Sequence, residues 1–150
     1  MKLTPIFEVV RIRQEIKETS DPFTTYQIAS PNDAQELAAS HIANEDREVF
    51  LVMMLNTKNQ VVGLHRAHTG SLNASIVHPR EELKCAILNN AASIIVSHQH
   101  PSGDPTPSRE DVEVTKRLAE AGKIIGIEVL DHVIVTHTGN HVSLKEKGYL

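Results

Sequence analysis

Hydrophobic positions along the chain fall into runs of two kinds. Two runs are continuous: Glu48 to Leu55 (EVFLVMML), apolar after its first residue, and residues 92–97 (ASIIVS), short and rich in β-branched side chains. Such runs predict strands buried on both faces of a sheet. Other runs repeat at helical spacing. Ala34, Leu37, Ala38 and Ile42 share one face of a helix opened by Ser30-Pro31, since proline suits the first helical position. Leu83, Ala86 and Ile87 stripe a helix from about Pro79 to Asn90. Val112, Thr115, Leu118 and Ala119 point inward from a helix that begins at Ser108 and stops at Gly122. Between these, Asn56 to Asn59 (NTKN) reads as a turn that returns residues 60–66 as a hairpin partner, and Gly70 to Ala74 as a loop. Residues 127–136 (IEVLDHVIVT) read as a strand region interrupted by Asp131-His132. Val142 to Leu144 would be a last short strand before a frayed C-terminus.

The opening segment has a different texture. Residues 5–16 (PIFEVVRIRQEI) alternate well enough for a strand, with Phe7 and Val9 on one face and Val10 and Ile12 near the other. A polar break around Pro22 follows. Residues 1–26 are therefore either an added edge strand or an arm that contacts another subunit, the second of which would suit a homodimer. Strands and helices intermix over residues 27–150, so the expected fold class is α/β (α+β), a mixed sheet flanked by helices. No internal repeat or low-complexity stretch interrupts it.

Composition narrows this picture without changing it. At 150 residues, 40% hydrophobic and 23% charged, the chain suits one soluble domain with a single core. Aromatic residues make up 3%, so that core must rest on Ile, Val, Leu, Ala and Met. A net charge of −4 gives no overall pull on nucleic acid. Arg11, Arg13, Lys17, Lys145 and Lys147 cluster near the ends, where they read as solvated surface. The single cysteine, Cys85, excludes an internal disulfide and a cysteine-rich zinc site, and its helical position suits a small core residue. No apolar run approaches the roughly 20 residues of a membrane span and no signal peptide precedes the first strand, so a cytoplasmic protein is the expectation.

Candidate chemistry concentrates in Ser97 to Asp111, SHQHPSGDPTPSRED. Alternate residues of a strand face the same side, so His98 and His100 leave the 92–97 strand pointing one way. Ser108 looks like a helix N-cap, with Asp111 three residues on, which puts a carboxylate on the first helical turn. Two histidines and one carboxylate leave a tetrahedral Zn2+ one open position for water, a catalytic arrangement. The same Ser-x-x-Asp is also an ordinary capping box, and a His-x-His pair is often only two polar residues leaving a strand. Their coincidence around a proline- and glycine-rich loop is what favours one bound Zn2+ at His98, His100 and Asp111. Asp104 reads as a turn former, and His65, His68, His78 and His132 as weak ligand candidates; Asp131-His132 suits outer support of a ligand.

This segment resembles the JAMM motif of the MPN (JAB) metalloprotease domain, in which His-x-His-Pro is followed after six residues by Ser-x-x-Asp. HPSGDPTPSRED, NTKNQVVG, SLNASIVHPRE and LDHVIV are closer still to the bacterial RadC-like branch, and the likeness covers about residues 27–150. It implies an MPN fold with cytidine-deaminase-like architecture, and hydrolysis of a peptide or isopeptide bond in an unknown protein or peptide substrate. It also implies a catalytic glutamate heading an early strand, a place that Glu48 fills, with Glu45 in the preceding loop as its competitor. Glu48 would take the proton of a water acidified by Zn2+ and pass it to the leaving amine. Ser108 would donate to the developing oxyanion. Two departures stand out: RadC-like proteins usually carry a helix-hairpin-helix region in front, and Gln99 stands between the paired histidines where eukaryotic relatives tend to have Ser or Thr. A non-catalytic scaffold and a DNA-repair accessory are the rival readings. A zinc nucleobase deaminase is excluded, because its P-C-x-x-C pattern needs two cysteines.

Overall fold

The computed structural model describes residues 3–19, 26–72, 75 and 77–150. Its element order is α1 (Pro31–Ile42), β1 (Val49–Leu55), β2 (Val61–Thr69), α2 (Pro79–Leu88), β3 (Ser93–Gln99), α3 (Arg109–Ile125), β4 (Glu128–Val135) and β5 (His141–Ser143). The strands form one five-stranded sheet in the order β2-β1-β3-β4-β5. β3 and β4 run parallel, joined by α3, and the other neighbours are antiparallel. The mixed α/β architecture expected from the pattern is what forms.

β1 and β3, the two continuous apolar runs, are the central strands and every residue of both is buried. Period two then divides their side chains between two layers. Val49, Leu51, Met53 and Leu55 face α1, which supplies Ala34, Leu37, Ala38 and Ile42, the four positions the spacing marked. Phe50, Val52, Met54, Ile94 and Val96 face the opposite way, against Leu83 and Ala86 of α2 and Val114 and Leu118 of α3. Each large side chain buried in this way contributes on the order of 1.5–3 kcal/mol. Continuing the second stripe by one residue at each strand end places Glu48 before Phe50 and His98 after Val96. The chemistry therefore sits on the α2/α3 face.

Several expectations are corrected. Residues 3–19 form no strand; Ile6 is 98% exposed and Phe7 85%, with Val9 and Val10 also in solvent. A strand needs a neighbour for its backbone hydrogen bonds, and no ladder among the described residues reaches this segment. The polar break at residues 20–25 and residues 73 and 74 of the expected loop lie outside the described residues. β2 runs on to Thr69, with register shifts opposite β1. α2 ends at Leu88, with Ile87 exposed and Glu82 buried in its place. α3 passes Gly122 and ends at Gly126, whose φ of 88° is the left-handed cap. Gly122 is small for another reason: its carbonyl accepts from both Gly126 N and Ile127 N, and a Cβ there would lie 2.3 Å from Ile127 O. Val112 is only half-buried while Val114 is in the core.

β4 is continuous through Asp131-His132; the irregularity is a shift in its register against β3 that skips Leu130. The C-terminus is not frayed, since Leu144 is fully buried and accepts from Tyr149 N at 2.9 Å. Among the described residues no helix is long and apolar enough to cross a membrane.

Candidate metal centre

The ends of β1 and β3 and the start of α3 meet at one point. His98, the next-to-last residue of β3, is fully buried, its ring stacked beside Phe50 at 6.5 Å between centroids. His100 lies just past the strand, its backbone N–H on Val135 O at 3.0 Å. The Nε2 atoms of the two rings are 3.0 Å apart. Asp111 bridges them, with Oδ1 3.1 Å from His98 Nε2 and Oδ2 3.1 Å from His100 Nε2. Glu48 completes the group: ligand atoms of Glu48, His98 and His100 all lie within 4.8 Å of one another.

Hydrogen bonding decides what these atoms present. His100 Nδ1 is 2.7 Å from the carbonyl oxygen of Asp104, which only accepts, so that nitrogen carries a hydrogen and Nε2 turns its lone pair toward Asp111. An imidazole nitrogen and a carboxylate facing each other at 3.1 Å are two acceptors with nothing between them unless a cation or a proton is held there. The donor set, imidazole nitrogen and carboxylate oxygen, is one that suits a divalent ion such as Zn2+. Titration behaviour follows the same crowding. Hydrogen bonding to Asp111 raises the His100 pKa against the effect of its burial. Burial would raise the carboxyl of Asp111, but hydrogen bonds from the His100 and His98 rings whenever a proton is held on their Nε2 atoms, and from the Ser108 N–H, hold it well below the usual carboxylate range.

Asp111 is also the third residue of a capping box. Its Oδ2 accepts from Ser108 N at 2.8 Å, and Ser108 Oγ accepts from Asp111 N at 3.1 Å. The two readings of Ser-x-x-Asp are thus one structure, because the cap fixes the carboxylate and the helix N-terminus favours its charge. Ser108 Oγ keeps its own hydrogen to donate, from an exposed position at the rim. Asp104 makes the expected turn, accepting from Thr106 N at 3.0 Å and Thr106 Oγ1 at 2.7 Å.

Glu48 is half-buried and its Oε2 accepts from Leu72 N at 3.1 Å. Glu45 is turned away, paired with Arg66 at 2.8 Å. What sets Glu48 in place is Gln99, a residue whose role the sequence did not disclose. Its side chain points to the α1 layer, where Oε1 accepts from Val49 N at 2.8 Å and Nε2 donates to the Arg47 carbonyl. One buried amide therefore clamps the backbone on both sides of Glu48. The only signal for it was a polar residue between two histidines at the end of a buried strand.

His132 was the other underrated residue. It is fully buried on β4, with Nε2 2.7 Å from His98 Nδ1 and Nδ1 on Thr115 Oγ1. Burial, with the His98 ring beside it, keeps its pKa well below the ordinary histidine value. Asp131 does not share this place. It faces the opposite side of the sheet, where Ser143 Oγ donates to it at 2.6 Å and Lys145 N at 3.1 Å. His65 packs near Lys84, and His68 meets Ser71 O at 3.3 Å. Cys85 is partly buried against the core, and burial raises its thiol pKa. A cavity of about 860 Å³ lies elsewhere, between residues 14–19, β2 and the Cys85 side of α2, and none of Glu48, His98, His100 and Asp111 lines it.

The chain is similar to known proteins over most of its length. A RadC-like JAB domain matches residues 28–149. A UPF0758 protein of Caldanaerobacter subterraneus subsp. tengcongensis is 56% identical over 124 residues, covering 83% of this chain and 53% of that protein. One from Geobacillus sp. (strain WCH70) is 58% identical over 125 residues, covering 83% and 55%. One from Desulfitobacterium hafniense is 52% identical over 132 residues, covering 88% and 58%. The chain spans just over half the length of these relatives.

Proposed function

The chain belongs to the RadC-like JAB domain family, and from that premise we propose that it is a zinc-dependent hydrolase of peptide or isopeptide bonds. The observation that carries this reading is the convergence of His98, His100 and Asp111, each pair within about 3.1 Å, with Glu48 beside them. His98 and His100 through Nε2 and Asp111 through its carboxylate would hold the ion. When bound, Zn2+ would supply a water acidified from a pKa of 15.7 to about 7 and a Lewis acid for the substrate carbonyl.

The remaining work falls to side chains of this chain. Glu48 accepts a proton at its carboxylate and returns it to the leaving amine; its half-burial and the Leu72 N–H keep one oxygen oriented. Ser108 donates its hydroxyl hydrogen to the oxygen on which charge develops, worth on the order of 3 kcal/mol when well aimed. Gln99 fixes the backbone on both sides of Glu48, and Asp104 orients the His100 ring through its main-chain carbonyl.

Glu48→Gln tests the assignment. The variant is expected to keep stoichiometric zinc and to lose cleavage of peptides found in a proteome-wide substrate screen with the parent protein. Cleavage at the parent rate by Glu48→Gln removes Glu48 from the mechanism.

A further inference from the structure

We propose that Thr115 and His132 are positioning residues that fix which nitrogen of His98 carries hydrogen, so that its Nε2 offers a lone pair toward Asp111 and His100. The proposal rests on the metal reading above, and deepens it by naming the groups that prepare one ligand.

Thr115 Oγ1 lies 2.7 Å from the main-chain carbonyl oxygen of Asp111, one helical turn earlier in α3. Two oxygens at that distance need a hydrogen between them, and the carbonyl has none, so the hydroxyl donates there. Its single hydrogen is then engaged. The contact between Thr115 Oγ1 and His132 Nδ1 must therefore be made by a hydrogen on Nδ1. The His132 ring is fully enclosed, and among the described residues its nitrogens are hydrogen-bonded to Thr115 and His98 and to no carboxylate, so burial disfavours a second, charging hydrogen. Its Nε2 is an acceptor. The hydrogen in the 2.7 Å contact between the rings accordingly belongs to His98 Nδ1.

The opposite arrangement fails at its first step. A hydrogen on His132 Nε2 would require Nδ1 to accept from Thr115, leaving Thr115 Oγ1 and the Asp111 carbonyl as two bare acceptors at 2.7 Å. The relay also closes on itself. It starts at the backbone of one candidate ligand, Asp111, and ends at another, His98, so α3 sets the position of one and the tautomer of the other. His100 is prepared independently, through the Asp104 carbonyl.

Long-range 1H–15N imidazole spectra of the metal-free protein, with zinc affinity by chelator competition, form the test. The parent should show hydrogen on His98 Nδ1 and on His132 Nδ1 but not on His132 Nε2. Thr115→Val keeps the shape and removes the hydroxyl; His132 should move its hydrogen to Nε2, His98 Nδ1 should lose its own, and zinc should bind about 10- to 100-fold more weakly. Thr115→Ser should restore both readouts. A bare His98 Nδ1 in the parent protein overturns the relay, and so does a Thr115→Val protein with parental tautomers and affinity. Failure of the parent to bind zinc would defeat the metal reading instead, and the tautomers would still decide the relay.

Discussion

Two carboxylates are buried on the α2/α3 side of the sheet, and the molecule treats them in opposite ways. Asp111 at the start of α3 is 2% exposed, and Ser108 N and the two imidazoles surround its oxygens. Glu82 in α2 is 1% exposed, and among the described residues its Oε2 has no hydrogen-bond partner. Burial penalises both charges equally in kind; partners reverse the outcome for one of them. The carboxyl of Asp111 is held well below the usual range, whereas desolvation pushes that of Glu82 up to about 7. Burial of an acid is thus not a mark of function. What marks Asp111 is the set of groups turned toward it.

The contrast breaks most completely at Asp111. Asp111→Asn keeps an acceptor for the Ser108 N–H but discards the charge, and zinc should bind at least about 100-fold more weakly, beyond the range seen when outer partners are lost. Competition titration against a chelator measures it. A parental affinity would place the ion elsewhere.

Glu82→Met sharpens the other half. The folded-state pKa of Glu82, about 7, lies above its ordinary value of 4.5, so the unfolded chain releases the proton first. Stability is undiminished below about pH 4.5, falls as pH rises toward 7 and stays lower above it. A gap of that size is worth roughly 3 kcal/mol. Urea unfolding should find the Met variant more stable by up to about 3 kcal/mol at pH 8, with the difference closing near pH 4. Equal stability at both pH values would mean that Glu82 is solvated or paired after all.

Gln99→Ala has a smaller expected effect. Removing the clamp leaves the Val49 N–H and the Arg47 carbonyl without their buried partner, which costs about 1–3 kcal/mol. Zinc affinity should change little, because Gln99 touches none of the three candidate ligands' side chains, while turnover should fall with the displacement of Glu48. Thermal unfolding, zinc titration and a cleavage assay separate these effects.

Much of this arrangement was legible in the sequence where neighbours in the chain are neighbours in space. Continuous apolar runs placed β1 and β3, period 3.6 placed the buried face of α1, and His98, His100, Ser108 and Asp111 belong to one strand-loop-helix unit. Glu48 was visible as a charge heading an apolar run. The misreadings arise where the partner is distant or missing. Residues 5–16 alternate like a strand, yet alternation describes a surface and cannot supply the ladder that would pair it. Ile87 fits the stripe of α2 but falls at its exposed edge, while Glu82 takes the buried place against expectation. Gln99 reaches back some fifty positions to the start of β1, and Thr115 and His132 come from different elements. No local spacing encodes those contacts.

The central claim is that two imidazoles and one carboxylate hold a single zinc ion. X-ray absorption at the zinc edge on the purified, zinc-loaded protein tests it most directly. One ion per chain with nitrogen and oxygen neighbours at about 2.0–2.2 Å, an imidazole scattering pattern and no sulfur is the expected result. A sulfur neighbour at about 2.3 Å, or a first shell without imidazole, would contradict it.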